Sequence, residues 1–301
     1  MKPTRTIPPE LLDNRNAPAF NNDFFRRFTL RHAERPLQLN GTVSKNYLFP
    51  TLYGDVRCAI GIFLCSYKKA EALVARELHP RIKPVRLTRG RSLIAFSCYE
   101  YRNVMGVAPY NEIAMAIPVM VNTAFRPPVL PMVLGSFSRF GYYIAGMPVT
   151  SYENQVRGNK LWGLPKVTQR IDIGEEGGMC VTTAFEDDGT PYLTVRVPRD
   201  GSPVEFDESS YLYSRLDGKV LRSPTNFKGT FNVTKYMNML VKKGVTPRQS
   251  FLEIGNSPSA KMLKGLEIER HPFQLRYAEH MSSCFDLRDT NEPAWLSSLN
   301  G

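Results

Sequence analysis

The chain has 301 residues, of which 42% are hydrophobic and 22% charged, enough apolar material for a sizeable core and too much for global disorder. No run approaches the ~20 apolar residues of a membrane helix, and the start, Met1-Lys2-Pro3-Thr4-Arg5, is not followed by an apolar leader segment. The formal charge of +11 invites a polyanionic partner, but the basic residues are dispersed. The densest run, Arg81, Lys83, Arg86, Arg89 and Arg91, is interleaved with Pro84, Val85 and Leu87 rather than with stacking aromatics, and reads as a solvated loop or strand edge. No helix-turn-helix, zinc finger or RNP-like pattern is present, so neither nucleic acid nor a membrane is an expected partner.

Cys58, Cys65, Cys98, Cys180 and Cys284 are odd in number, widely scattered and without C-x-x-C spacing. That pattern fits buried thiols in a reducing cytosol rather than a disulfide framework, so a cytoplasmic location is expected. His32, His79, His271 and His280 show no metal-ligand spacing. There is no G-x-G-x-x-G, P-loop or G-x-S-x-G, which leaves nucleotide cofactors and an elbow serine without support.

In chain order, residues 1–45 carry Pro3, Pro8, Pro9, Pro18 and Pro36 among charges and asparagines, and read as an extended arm with a short helix near Phe24–Phe28. Residues 46–301 then form one domain. The apolar run 55–65 predicts a central strand. Ser66 caps a helix over 67–78, where Ala70, Leu73, Val74 and Glu77 keep helical spacing and Pro80 closes it. Residues 92–101 and 111–121 predict strands, followed by 128–138 and 141–146. A helix capped by Ser151 spans 151–161, is broken by Gly163 and Pro165, and yields to a strand near Lys166. Further strands are expected at 179–186, 191–198, 218–223, 228–234 and 265–278, with a helix near 234–243. Many short strands with turn signals and no regular strand–helix alternation indicate an α+β chain, mainly antiparallel β: a barrel or strongly curved sheet with flanking helices.

Two segments carry chemistry. In Gly158-Asn159-Lys160-Leu161-Trp162-Gly163-Leu164-Pro165-Lys166-Val167, one lysine sits among apolar neighbours. Pro165 fixes its own φ and keeps Leu164 out of the helical region, so a stiff backbone can aim Lys166 inward. A desolvated ammonium loses its proton more readily, and the neutral amine can attack a carbonyl to form an imine. The alternative is a lysine that buries its stem and leaves its head in water. In Pro109-Tyr110-Asn111-Glu112-Ile113-Ala114-Met115-Ala116-Ile117-Pro118-Val119, Glu112 opens an otherwise uncharged strand. Period-two alternation puts it on one face with Ala114 and Ala116, leaving room above the carboxylate. The alternative is a strand-end carboxylate facing solvent.

The ordered pair Tyr-x-Glu-x-x-x-Ala-Ile-Pro-Val and, some fifty residues on, Gly-x-x-Leu-x-x-x-Pro-Lys resembles the acetoacetate decarboxylase superfamily over roughly residues 48–170. The resemblance implies a cone-like β-barrel with flanking helices, a homo-oligomer, and no metal or organic cofactor. It places Lys166 on the family's Schiff-base lysine and Glu112 on its active-site glutamate. Several positions depart from the pattern. The lysine usual after the reactive one is Val167, Gly-Arg-Glu reads Gly158-Asn159-Lys160, and a second glutamate is replaced by Ser97. Arg57, two residues from the aligned position, is the candidate for the substrate-carboxylate arginine, and Ser97, Met115 and Leu164 complete the expected substrate wall. The expected activity is decarboxylation of a β-keto acid through an imine on Lys166. The alternatives are an aldolase-dehydratase type condensation of a keto acid with an aldehyde, or a barrel that binds a small apolar ligand without catalysis.

Overall fold

The computed structural model describes all residues except 1–4, 125, 126, 129, 134–136, 289–292 and 301. Long strands dominate: β1 (Thr51–Ser66), β2 (Arg91–Val104), β3 (Tyr110–Val121) and β4 (Phe140–Val149), then the short β5 (Lys166–Thr168). They are followed by β6 (Ile171–Glu176), β7 (Met179–Phe185), β8 (Pro191–Pro198), β9 (Ser202–Leu216), β10 (Lys219–Lys235), β11 (Leu252–Ile254) and β12 (Pro272–Phe285). Helix α1 (Tyr67–Glu77) links β1 to the region before β2, and α2 (Tyr152–Trp162) links β4 to β5.

β4 pairs with both β9 and β3, which closes seven strands into a barrel in the order β4-β9-β10-β12-β1-β2-β3. Every neighbouring pair is antiparallel except β4 with β9. β5 adds to β4 in parallel, Met147 opposite Lys166. The mainly antiparallel barrel expected from the strand count is therefore the fold.

The two faces of the barrel wall differ. Outward-facing Ala59, Phe63, Phe96, Ile113 and Ile117 pack beneath Ala70, Leu73 and Val74 of α1 and Leu193 and Val195 of a second sheet, ordered β6-β7-β8-β11. This close cover explains Gly61, where a Cβ would lie 3.2 Å from a Val195 methyl and closer still to the Phe63 ring. Inward-facing Val56, Cys58, Ala114, Ala116, Ile144, Met147, Phe231, Val233 and Ala278 form a separate cluster. The N-terminal arm docks through Phe20, Phe24 and Phe25 against Leu48, Leu52 and Cys284. All five cysteines are buried and unpaired, and among the described residues no helix is long and apolar enough to cross a membrane.

Several elements differ from the sequence reading. The strands expected at 218–223 and 228–234 are one, β10, which runs through Pro224 and Gly229; Gly229 is needed because a Cβ there would lie 2.8 Å from that of Met281 across the ladder. The strand expected at 265–278 starts only at Pro272, and Lys261–Gly265 is helical. β9 was not anticipated because its sequence, SPVEFDESSYLYSRL, is polar on one exposed face. Within 128–138 the described part holds a short helix, Leu130–Val133, and the helix expected at 234–243 is a single 3-10 turn, Met237–Leu240. Ser66 stands at the N-cap of α1 without a side-chain capping bond. Arg91, assigned to a solvated run, is buried and donates to the Lys242 and Leu240 carbonyls and to Glu269.

Candidate active site

Alternation along β3 turns Tyr110, Glu112, Ala114 and Ala116 into the barrel. Across the ladders, Glu112 stands opposite Tyr99 on β2 and Val149 on β4. Val149 and Met147 share a face of β4, and Met147 is opposite Lys166. Register alone thus brings residues 54 positions apart onto one patch of wall, where Lys166 Nζ lies 2.5 Å from Glu112 Oε2.

The approach to Lys166 is built by the end of α2. Ser151 Oγ accepts the Asn154 backbone N–H and starts the helix. Gly163 ends it at φ +60°, and a Cβ there would strike the Arg215 carbonyl. The Leu164 N–H then returns to the Gly158 carbonyl at 3.1 Å. The Lys166 N–H reaches the Leu164 carbonyl at 2.8 Å and Asn159 Oδ1 at 3.1 Å, so the backbone of the lysine is pinned from both sides. Trp162 anchors the helix end through Nε1 to the Asp286 carbonyl at 2.8 Å, and Ser214 Oγ donates to the Trp162 carbonyl. Gly158 faces the lysine stem, and a Cβ there would lie 2.3 Å from Lys166 Cδ.

The pair is almost dry. The side chains of Lys166 and Glu112 are 7% and 2% exposed, among the Tyr53, Tyr99, Tyr101 and Tyr110 rings. Tyr101 stacks on Tyr99 with centroids 5.1 Å apart and packs at 4.6 and 4.7 Å on Tyr53 and Tyr110. Its hydroxyl donates to Glu112 Oε1 at 3.3 Å, and the Tyr110 ring lies 5.8 Å from Lys166 Nζ. Burial pushes the Lys166 amine below the usual lysine range. Glu112 opposes that shift through its charge and hydrogen bond, and the Arg157 guanidinium reinforces it by like-charge repulsion. Arg157 is 1% exposed, with its charge spread over Asn154 Oδ1 at 3.0 Å, Thr51 Oγ1 at 2.7 Å and the Tyr47 ring at 4.4 Å. A buried amine beside a carboxylate can lose its proton locally, and a neutral amine in such a place is a nucleophile toward carbonyl carbon.

Residues 35–248, more than two thirds of the chain, match the family model described as acetoacetate decarboxylase. The chain belongs to the acetoacetate decarboxylase family. A solved acetoacetate decarboxylase structure aligns with a TM-score of 0.51 at 14% identity, covering 79% of this chain and 87% of the other. The acetoacetate decarboxylase of Legionella pneumophila subsp. pneumophila aligns with a TM-score of 0.50 at 12% identity, covering 81% and 89%. At these identities the structural likeness shows the shared fold. A search of curated proteins gives no match to the chain.

Against this family's pattern, the structure places the remaining expected residues unevenly. Ser97 lies opposite Ala114 on the inner face, and Leu164 packs into the inner cluster. Arg57 and Met115 are turned outward. Arg57 lies opposite Glu100 and forms ion pairs with Glu279 at 3.1 Å and with Glu100 and Glu175 at 3.4 Å. Two residues along a regular strand keep one face, but the β1–β2 register shifts around Asp55, and Tyr53, Val56 and Cys58 all point inward. Met115 fails on parity with Glu112 and packs in the outer cluster. Sequence reasoning missed Arg157 and the tyrosines. Arg157 lies on the predicted helix nine positions before Lys166, but nothing in the local pattern marks which face of that helix meets the barrel. Tyr99 and Tyr101 alternate in step with Ser97, which was a usable signal.

Proposed function

We propose that this protein is a lyase that decarboxylates a β-keto acid through an imine on Lys166. The observation that carries the reading is the buried 2.5 Å contact between Lys166 Nζ and Glu112 Oε2, in a chain of the acetoacetate decarboxylase family. The ammonium passes a proton to Glu112, and the freed amine adds to the ketone carbon to give a carbinolamine. Loss of water, with the hydroxyl leaving as its proton is supplied, yields a protonated imine. The C–C bond to the carboxylate breaks, its electron pair moves toward the iminium nitrogen, and CO2 departs. The enamine takes a proton at carbon, and water then hydrolyses the imine to release the ketone and restore the amine. Glu112, held by the Tyr101 hydroxyl, relays protons at the amine and the carbinolamine oxygen. No step needs a metal or organic cofactor.

Three features support the reading. Burial favours the neutral amine. Arg157 supplies the nearby positive charge that Val167 lacks. Asn159 and Gly158 set the path of the lysine backbone and stem. The test is CO2 release from a panel of β-keto acids by the wild type and by Lys166→Arg. Arginine stays protonated and forms no imine at neutral pH, so the variant is expected to fall to the uncatalysed rate. Full turnover by Lys166→Arg would remove the mechanism. Condensed product from pyruvate plus an aldehyde, without CO2, would reassign the same amine to aldol chemistry.

A further inference from the structure

The barrel wall carries a second cation that the imine chemistry does not use. Arg276 on β12 stands opposite Ile60 of β1 and Val233 of β10, both in the inner cluster, so register turns it into the barrel. The row Glu112–Tyr99–Cys58–Ala278 runs around the wall, and Arg276 lies two residues, one inner layer, along from Ala278. β12 is three strands from β4 around the seven-strand ring. At ~4.8 Å per strand that is about 14 Å along the wall from β4, the strand that carries β5 and Lys166 at its edge.

The guanidinium is poorly provided for. One N–H donates to Gln274 Oε1 at 3.0 Å, and the group lies 4.7 Å over the Phe206 ring. Nε is buried without a partner, and no ion pair to Arg276 forms among the described residues. Burial pushes it below the usual arginine range, and only Tyr142, Glu208 on the exposed part of β9, and Cys58 act against that shift from a distance. Arginine at a buried site normally has a carboxylate or phosphate fork to match its donors. Ile60, Ala95, Tyr142 and Leu212 pack against the inner cluster yet remain partly exposed, whereas the outward-facing Ala59, Phe63, Ile94 and Phe96 are covered.

We infer that Arg276 is a substrate-binding residue that anchors the carboxylate of an acid whose carbonyl reaches Lys166 from across the barrel. This rests on the imine reading for the carbonyl end only. It gives the substrate a further, distal carboxylate besides the one lost as CO2, held by a residue on the last barrel strand, while on β1 Arg57 is committed to Glu279, Glu100 and Glu175. A singly charged carboxylate fits better than a phosphate. One guanidinium neutralises it, and Glu208 nearby would oppose a second negative charge.

The test separates the two ends. Calorimetry with valerate, an acid with no carbonyl, reads the anchor alone. The wild type is expected to bind it, Arg276→Met to bind roughly ten- to a hundred-fold more weakly, as befits loss of a charged hydrogen-bonding partner, and Arg276→Lys to recover part of the loss. A dissociation constant that is unchanged in Arg276→Met, or no valerate binding by the wild type, overturns the assignment. In the wild type itself, borohydride trapping should favour levulinate over its methyl ester, and equal trapping also overturns it. Methyl levulinate, which carries no anion, should label Lys166 equally in wild type and Arg276→Met. Failure of that labelling counts against the imine and not against the anchor.

Discussion

Gly158 offers a test in which stability and chemistry should part. An alanine in the middle of a helix is normally worth about 1 kcal/mol over glycine. Here the added Cβ would lie 2.3, 2.7 and 2.8 Å from Lys166 Cδ, Cγ and Cε, distances that no packed carbon tolerates. Overpacking of this kind costs about 1–3 kcal/mol, so the net loss in Gly158→Ala is roughly 0–2 kcal/mol. The element free to yield is the lysine stem itself, since the backbone of Lys166 is pinned by Leu164 and Asn159. Displacing the amine by about 1 Å from its reacting position can cost a hundred-fold in rate. Gly158→Ala should therefore unfold in urea close to the wild type while borohydride trapping of a ketone on Lys166 slows at least ten-fold. A more stable variant with undiminished trapping would refute the placement of Gly158 against the reactive side chain.

Two further outcomes follow from the charged groups. Replacing Glu112 by Gln removes a charge-assisted contact worth about 1.5–3 kcal/mol, which frees the amine of its proton more readily but takes away the proton relay. Trapping should be retained or faster while CO2 release falls about a hundred-fold; unchanged turnover would strip Glu112 of its role. For Glu279, burial works to raise the carboxyl, and hydrogen bonds from Tyr277, Arg102 and Arg57 overcome it to leave the group at about 2, against an ordinary 4.5. Its stabilisation is complete above pH 4.5 and is lost as pH falls toward 2, because the unfolded chain takes up the proton first. Acid unfolding of Glu279→Gln should be flatter across that window, and an identical acid limb would show that Arg57 serves no such outer network.

The parts of this molecule that a linear reading reaches are those whose signal is local. The helix behind Ser151 and its stop at Gly163-Leu164-Pro165 are set by capping, a left-handed glycine and proline. The inward face of Glu112 follows from alternation along one unbroken strand. What fails is whatever depends on a register that one sequence does not encode. The shift near Asp55 turns Arg57 outward. The polar face of β9 hides a strand that pairs along its whole length with β10. The interior position of Arg276 exists only once β12 is set against β1 and β10. Arg157 belongs with these: a helical arginine gives no hint of burial until Thr51, Asn154 and the Tyr47 ring are seen around it.

The central claim is that the Lys166 amine is dry enough to give up its proton within reach of a ketone. Its titration can be read from the rate at which acetone forms a borohydride-trappable adduct at that residue as pH is raised. Burial, aided by Arg157 and only partly offset by Glu112, should bring the midpoint below 10.5, the ordinary lysine value. A midpoint at or above 10.5, or an adduct that maps to other lysines and not to Lys166, would contradict it.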